Sequence, residues 1–206
     1  MNILPKGAHD NSSASPILTL DTSCHELKDQ KSVGDDEEEE YYPMENFSMV
    51  SKDVYRGAFP MRKNFPFLKQ LGMKSILTLI MEEYPSANLE FCRLNNIKLI
   101  QIGVEGNKEP FKVIPNQEIR KAIKELLDVS NHPILIHCNK GKHRTGCLVG
   151  CLRKVQGWGL SSIFDEYIRF AQPKARIVDQ RCIELFDPEN EDSDEEDEMK
   201  TSRSTL

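Results

Sequence analysis

Short apolar stretches alternate with amphipathic ones along the middle of the chain. Three of the apolar stretches have the length of a β-strand, namely SILTLI (75–80), IKLIQIGV (97–104) and PILIH (133–137). They carry too few polar positions for one face to meet water, which is typical of parallel strands that helices cover on both sides. The pattern therefore predicts three buried parallel strands.

Two amphipathic segments show apolar side chains at helical spacing. In residues 115–133 these are Ile119, Ala122, Ile123, Leu126 and Leu127. In residues 86–96 they are Leu89, Cys92 and Leu94. Residues 147–156 and 161–172 predict two further helices. Because strands and helices alternate, the pattern predicts an α/β domain with a central, mostly parallel sheet flanked by helices.

Charge is segregated along the 206 residues. Residues 1–42 hold 10 acidic and 3 basic residues, residues 187–206 hold 9 and 2, and residues 43–186 hold 14 acidic and 22 basic residues. We therefore predict one domain at 43–186 between two disordered acidic tails at 1–42 and 187–206. The overall charge of −6 hides a basic domain, which suggests a polyanionic small molecule as ligand.

The cysteines and the apolar stretches of the sequence indicate where in the cell the protein is expected. Because the chain shows neither a stretch of about 18 apolar residues nor a signal-peptide pattern, we expect no stable membrane insertion. Six cysteines in a chain of this size fit reduced thiols and a cytoplasmic location, with the nucleus as the alternative. Cys147 and Cys151 share one helical face without further ligands nearby, so we expect them, with Cys92 and Cys182, to be buried packing residues.

One loop stands out chemically, HCNKGKHRTG at 137–146, between the third predicted strand and the helix that follows it. In an open parallel sheet, ligands bind beyond the carboxyl ends of the strands, where loops enter helices. Gly141 and Gly146 permit a tight turn in which successive backbone N–H groups converge on one anion. The N-terminus of the helix adds its dipole, so the loop is predicted to bind an anion.

A nucleotide-binding phosphate loop would need a lysine and a hydroxyl residue after its last glycine, but Cys147 and Leu148 follow Gly146. The other interpretation places Cys138 at the bottom of the loop. The N–H groups, the helix dipole and Arg144 would all favour the thiolate form of Cys138. A thiolate beside a bound phosphate is a phosphoryl acceptor.

The arrangement Cys138-x5-Arg144-Thr145, preceded by a histidine and an apolar strand, resembles the signature of the cysteine-dependent protein tyrosine phosphatases. FPFLKQLGMKSILTL, GVEGNKEPF, SIFDEYIRFA and DQR resemble the plant and fungal atypical dual-specificity phosphatases, whose favoured substrates are inositol pyrophosphates. The resemblance covers about residues 47–186. It implies a protein tyrosine phosphatase-like single domain with the phosphate-binding loop between a strand and a helix.

The resemblance also implies roles for residues and a reaction without a metal or cofactor. Cys138 would form a phosphocysteine, Arg144 would bind the equatorial oxygens, and Thr145 would ease departure of the thiolate during hydrolysis. The favoured activity is hydrolysis of the β-phosphate of a soluble inositol pyrophosphate. The alternatives are a protein tyrosine or dual-specificity phosphatase acting on a phosphoprotein, a phosphoinositide phosphatase, and a non-catalytic phosphate-binding module; no nucleic-acid partner is expected.

The loop carries more positive charge than one phosphate requires, which favours a densely phosphorylated ligand. The predicted substrate-binding residues are Asn107, Lys108, Asn139, Lys140, Gly141, Lys142 and His143. The motif Lys-x-Gly-Lys-x-Arg also resembles phosphoinositide phosphatases. Asp179 in DQR is expected to form an ion pair that braces the loop or its helix.

The proton donor of the reaction does not follow the usual pattern. Phosphatases of this superfamily usually carry an aspartate about thirty residues before the nucleophile, but no aspartate lies between Asp53 and Asp128. Glu105, Glu109 or His143 could serve instead. Alternatively no strong acid is needed, because a phosphate leaving group has a pKa near 6, whereas that of tyrosine is near 10. The missing aspartate thus favours an anhydride substrate.

Overall fold

The computed structural model describes residues 40–107 and 114–189, and a five-stranded sheet lies at its centre. The strands are β1 (Ser48–Ser51), β2 (Val54–Gly57), β3 (Ser75–Thr78), β4 (Lys98–Gln101) and β5 (Ile134–His137). The helices are α1 (Phe65–Gln70), α2 (Ser86–Leu94), α3 (Asn116–Leu127), α4 (His143–Val155), α5 (Leu160–Ala171) and α6 (Ile177–Leu185). Single 3-10 turns occur at Arg62–Asn64 and Val129–Asn131.

The strand order is β1-β2-β5-β3-β4, and all neighbours except β1 and β2 are parallel. The predicted α/β fold with a mostly parallel sheet is thereby confirmed. Gly57, His137 and Thr78 pair at the same level, at the carboxyl ends of β2, β5 and β3. The loops that leave these three strands therefore begin side by side.

Helices cover both faces of the sheet. Helices α3 to α6 pack with Ile134 and Ile136 of β5, while α1 and α2 pack with Leu135 of β5 and Ile76 of β3. Every residue of β3 and β5 is buried. The expectation of burial on both faces is wrong for β4, whose Lys98 and Gln101 are exposed, because this strand forms the edge of the sheet.

Two predicted helix faces need correction. In α3 the first four predicted side chains are buried, but Leu127 is 52% exposed. In α2, Leu89 and Leu94 are exposed, and the inner face consists of Asn88, Phe91 and Cys92. The reason lies in the neighbours of this helix: the ring of Phe91 stacks on Phe65 at 4.1 Å, and Asn88 donates a hydrogen bond to the carbonyl of Pro60.

The pattern missed four elements, β1, β2, α1 and α6. The two strands have only four residues each and form a hairpin whose turn includes Asp53 with φ of 60°. Strand β2 also buries Arg56, which is 1% exposed. A buried arginine conceals the apolar alternation that would otherwise indicate a strand.

The cysteines are placed as expected, since Cys92, Cys147, Cys151 and Cys182 are all buried. Among the helices of the described residues, none is long and apolar enough to cross a bilayer.

Candidate active site

The loop of residues 138–142 leaves β5 at the centre of the sheet and leads into α4. Donors from earlier parts of the chain hold three of its carbonyl groups: Phe59 N–H binds Asn139, Asn46 Nδ2 binds Lys140, and Arg56 Nη2 binds Gly141, at 3.2, 2.8 and 2.9 Å. In a trans peptide unit the C=O and the following N–H point in opposite directions. The N–H groups that follow these carbonyls are therefore directed away from the donors, as an anion cradle requires.

Gly141 lies against the end of β2. Its φ is +66°, and a Cβ atom there would lie 2.5 Å from the carbonyl carbon and oxygen of Gly57 and 2.8 Å from the nitrogen of Ala58. Only glycine combines the left-handed conformation with this close approach of two backbones. Gly141 therefore supports the cradle through its backbone.

Cys138 is 4% exposed and lines a cavity of about 370 Å³ above the cradle. The residues that line this cavity are Met81, Glu82, Val104, Glu105, Gly106, Cys138, Asn139, Lys140, His143, Arg144 and Arg176. The structure thus brings together six of the predicted site residues.

Burial raises the pKa of the Cys147 and Cys151 thiols well above the ordinary value, so these two thiols remain protonated at neutral pH.

Arg144 is held beside the cavity by two backbone carbonyls. Its Nη1 donates to the carbonyl oxygen of Leu79 at 3.0 Å and to that of Val104 at 3.3 Å. Neither bond uses the edge formed by Nε and Nη2, which can bind two oxygens of one phosphate. Thr145 follows in the first turn of α4 and is fully buried; among the described residues its Oγ1 has no hydrogen-bond partner.

His143 belongs to a buried polar network. Its Nδ1 lies 2.9 Å from Oδ2 of Asp179, which also accepts a hydrogen bond of 2.6 Å from the Tyr167 hydroxyl. Because a carboxylate can only accept, the proton lies on Nδ1 of the imidazole. Burial lowers the pKa of His143, although the bond to Asp179 opposes this effect. Asp179 therefore braces the start of α4 through a hydrogen bond with His143, and this contact is an ion pair only when the imidazole is protonated.

The geometry of a cysteine in an amide cradle, followed by an arginine at the cavity, agrees with the sequence comparison. A sequence profile described as "Tyrosine phosphatase family" matches residues 41–205. The chain belongs to the tyrosine phosphatase family. The predicted resemblance to this superfamily is therefore confirmed.

Relatives within the tyrosine phosphatase family have more specific names. The chain is 58% identical over 149 residues to inositol diphosphatase SIW14 of Saccharomyces cerevisiae, a match that covers 72% of this chain and 53% of that protein. It is 58% identical over 145 residues to inositol diphosphatase DSP1 of Oryza sativa subsp. japonica, covering 70% and 65%. The matches thus span between half and two thirds of the length of these two relatives.

A solved structure from the same family has the same fold. It is the crystal structure of the core catalytic domain of PP-IP phosphatase SIW14 from Saccharomyces cerevisiae in complex with citrate. This structure is 49% identical to the chain with a TM-score of 0.68, and the match covers 81% of this chain and 98% of that one.

Two residues predicted to bind substrate in this member of the tyrosine phosphatase family face elsewhere. Lys142 donates from Nζ to the carbonyl of Gln172 at 2.7 Å and does not line the cavity. Asn107 is 1% exposed; its Nδ2 donates to Asp179 and its Oδ1 accepts from the N–H of Ile114. These bonds use both ends of its amide, so Asn107 braces the site.

Other predicted residues lie outside the part of the chain that the structure describes, namely Lys108 and Glu109. In their place the structure adds Arg176, which the pattern missed. Arg176 lines the cavity, and its Nη1 donates to the carbonyl of Asn107 at 3.3 Å. A signal was present, because Lys174 and Arg176 form a basic loop between two helices, but nothing in sequence spacing relates that loop to Cys138.

Proposed function

We propose that the chain is a phosphatase that removes the β-phosphate of a soluble inositol pyrophosphate through a phosphocysteine. The main support for this proposal is the set of side chains that line the cavity. A thiol in an amide cradle lies beside four side chains that are cationic or can become so: Lys140, His143, Arg144 and Arg176. This arrangement suits a ligand whose further phosphates surround the reacting one.

The reaction would proceed in two displacements. In the first, the Cys138 thiolate forms an S–P bond with the terminal phosphorus while the P–O bond to the inner phosphate breaks. Arg144 and the cradle N–H groups bind the equatorial oxygens, whose charge the transition state redistributes. In the second displacement water attacks the phosphorus, the S–P bond breaks, and orthophosphate leaves. Thr145 would donate a hydrogen bond to the departing thiolate, the role that the family resemblance implies.

One feature of the cavity favours an anhydride substrate over an aryl ester. No phenylalanine, tyrosine or tryptophan is among the described residues that line it, whereas a phosphotyrosine ring would gain from such a contact. Glu105 lines the cavity and stays a predicted proton donor. His143 is the second one, because the negative charge of a bound polyphosphate would favour its protonated ring. A phosphate leaving group needs little help from either.

The names of the relatives support the same substrate class. SIW14 and DSP1 are both called inositol diphosphatases, and the solved SIW14 structure is called that of a PP-IP phosphatase. A soluble substrate agrees with the proposed cytoplasmic location, with the nucleus as the alternative. The second candidate function is a protein tyrosine phosphatase, which the description of the matching family favours.

Release of orthophosphate from a panel of substrates tests the proposal. The panel contains an inositol pyrophosphate, a phosphotyrosine peptide and a phosphoinositide headgroup, each without added metal. We expect the inositol pyrophosphate to give the highest kcat/KM. Cys138→Ser should abolish turnover, while the matched control Cys92→Ala, in the core on the other face of the sheet, should retain it. A higher kcat/KM for the phosphopeptide would favour the second candidate, and turnover by Cys138→Ser would refute the phosphocysteine.

A further inference from the structure

A buried arginine lies on the protein side of the cradle. Arg56 of β2 is 1% exposed, and its Nη2 donates to the carbonyl oxygen of Gly141 at 2.9 Å. Its guanidinium carbon lies 3.8 Å from the centre of the Phe170 ring. Within the described residues, Nε and Nη1 of Arg56 have no hydrogen-bond partner. The side chain therefore carries a buried positive charge with a single hydrogen bond to the part of the chain that the structure describes.

A buried charge of this kind is unfavourable unless an opposite charge lies nearby. The titratable groups that act on Arg56 are Glu166 of α5, Arg153 of α4 and Cys138, which follows β5. Arg153 binds both carboxylate oxygens of Glu166, at 2.8 and 3.0 Å. Because Arg153 and Glu166 neutralise each other, Cys138 is the remaining group of this set that can supply a compensating negative charge.

We propose that Arg56 is a positioning residue that stabilises the Cys138 thiolate from the interior and holds the cradle through Gly141. The inference rests on the proposed function, because it concerns the nucleophile of that reaction. The chemical step is loss of the Cys138 thiol proton to water. Arg144 acts from the cavity side and is needed by the phosphate oxygens, whereas Arg56 is buried on the protein side of the cradle and bonded to Gly141 within it.

The protonation of Arg56 agrees with this role. Burial lowers the pKa of Arg56 to about 10, and the negative charge of Glu166 acts in the opposite direction. The guanidinium therefore still carries its charge at neutral pH. On the other side of Cys138, the adjacent His137 adds no positive charge, because burial lowers its pKa to about 4.

Alkylation of Cys138 by iodoacetamide across pH 4.5–9 measures the thiolate without any substrate. The full chain is used, and mass spectrometry distinguishes Cys138 from the other five cysteines. We expect Arg56→Met to raise the pH midpoint of alkylation by about one unit, which is a tenfold loss of thiolate below the midpoint. Arg56→Lys keeps the charge and should restore most of the reactivity. Glu166→Gln removes a negative charge and should lower the midpoint.

If Arg56 had a purely structural role, removing its charge would leave the pH midpoint of Cys138 alkylation unchanged in a folded protein. An unchanged midpoint in a folded Arg56→Met protein, or an upward shift in Glu166→Gln, would overturn the proposal. If Arg56→Met does not fold, Arg56→Gln decides, because it removes the charge and keeps an N–H donor for the carbonyl of Gly141. Because the readout needs no turnover, a chain that shows these shifts but releases no phosphate from inositol pyrophosphates would refute the proposed function alone.

Discussion

Replacing Gly141 with alanine perturbs the cradle by a single methyl group. The added Cβ would lie 2.5 Å from two backbone atoms of Gly57, in a residue whose φ is +66°. Backbone atoms at the end of a central strand cannot move aside as a flexible side chain can. The cradle itself must therefore shift away from β2.

Two contributions set the size of the effect. The left-handed conformation costs alanine about 1–2 kcal/mol, and the steric overlap adds about 1–3 kcal/mol. Gly157→Ala is the matched control, because Gly157 has φ of +76° but no atom within 4 Å of its Cβ position. The control carries only the first contribution, so the difference between the two variants measures the contact between the cradle and β2.

Urea unfolding of both variants, with phosphate release measured in parallel, tests this reasoning. We expect Gly141→Ala to lose about 2–5 kcal/mol of unfolding free energy and most of its activity. Gly157→Ala should lose about 1–2 kcal/mol and remain active. If the two variants have equal stability and Gly141→Ala remains active, the close approach to Gly57 does not shape the cradle.

Two further predictions concern single side chains near the loop. Lys140 lines the cavity, so Lys140→Ala should raise the KM for an inositol pyrophosphate about tenfold, the value of one charge-assisted hydrogen bond. Lys142 binds the carbonyl of Gln172, so Lys142→Ala should change the KM less than about twofold. Equal effects of the two variants would contradict the assignment of Lys140, and not Lys142, to the cavity. Burial lowers the pKa of His137 to about 4, below the value of about 6.5 in the unfolded chain, so the unfolded state binds more protons between these values. Stability should therefore fall by about 2 kcal/mol from this group alone between pH 7 and pH 5. In urea titrations at the two pH values, the loss of unfolding free energy should be smaller in His137→Gln than in the wild type by about 2 kcal/mol. If the two proteins lose the same amount, His137 is not the group responsible.

The central parts of the fold were accessible from the pattern of the sequence. The strands β3 and β5 are short and buried, and apolar residues outnumber Ser75, Thr78 and His137 in them, so their composition reveals them. The edge strand β4 and the inner face of α2 were misjudged, because the degree of burial depends on neighbours that periodicity does not identify. In α2 the contact of Phe91 with Phe65 selects the inner face.

The site, like the fold, has a part that the sequence predicts and a part that depends on contacts in space. Cys138, Gly141 and Arg144 lie within seven residues between a strand and a helix, so their chemistry is local and the sequence by itself determined it. Lys140 and Lys142 look equivalent in sequence, yet only the first lines the cavity. The difference arises because the end of α5 supplies a carbonyl acceptor for Lys142.

Tertiary structure alone decided which distant residues support the loop. Arg56 binds Gly141 across 85 residues of sequence, and Asp179 binds His143 across 36. These contacts follow from the pairing of β2 with β5 and from the packing of α5 and α6 against α4. The sequence thus specifies the reacting groups, because they are neighbours along the chain, whereas the charges that surround them are set by which strands and helices become neighbours in space.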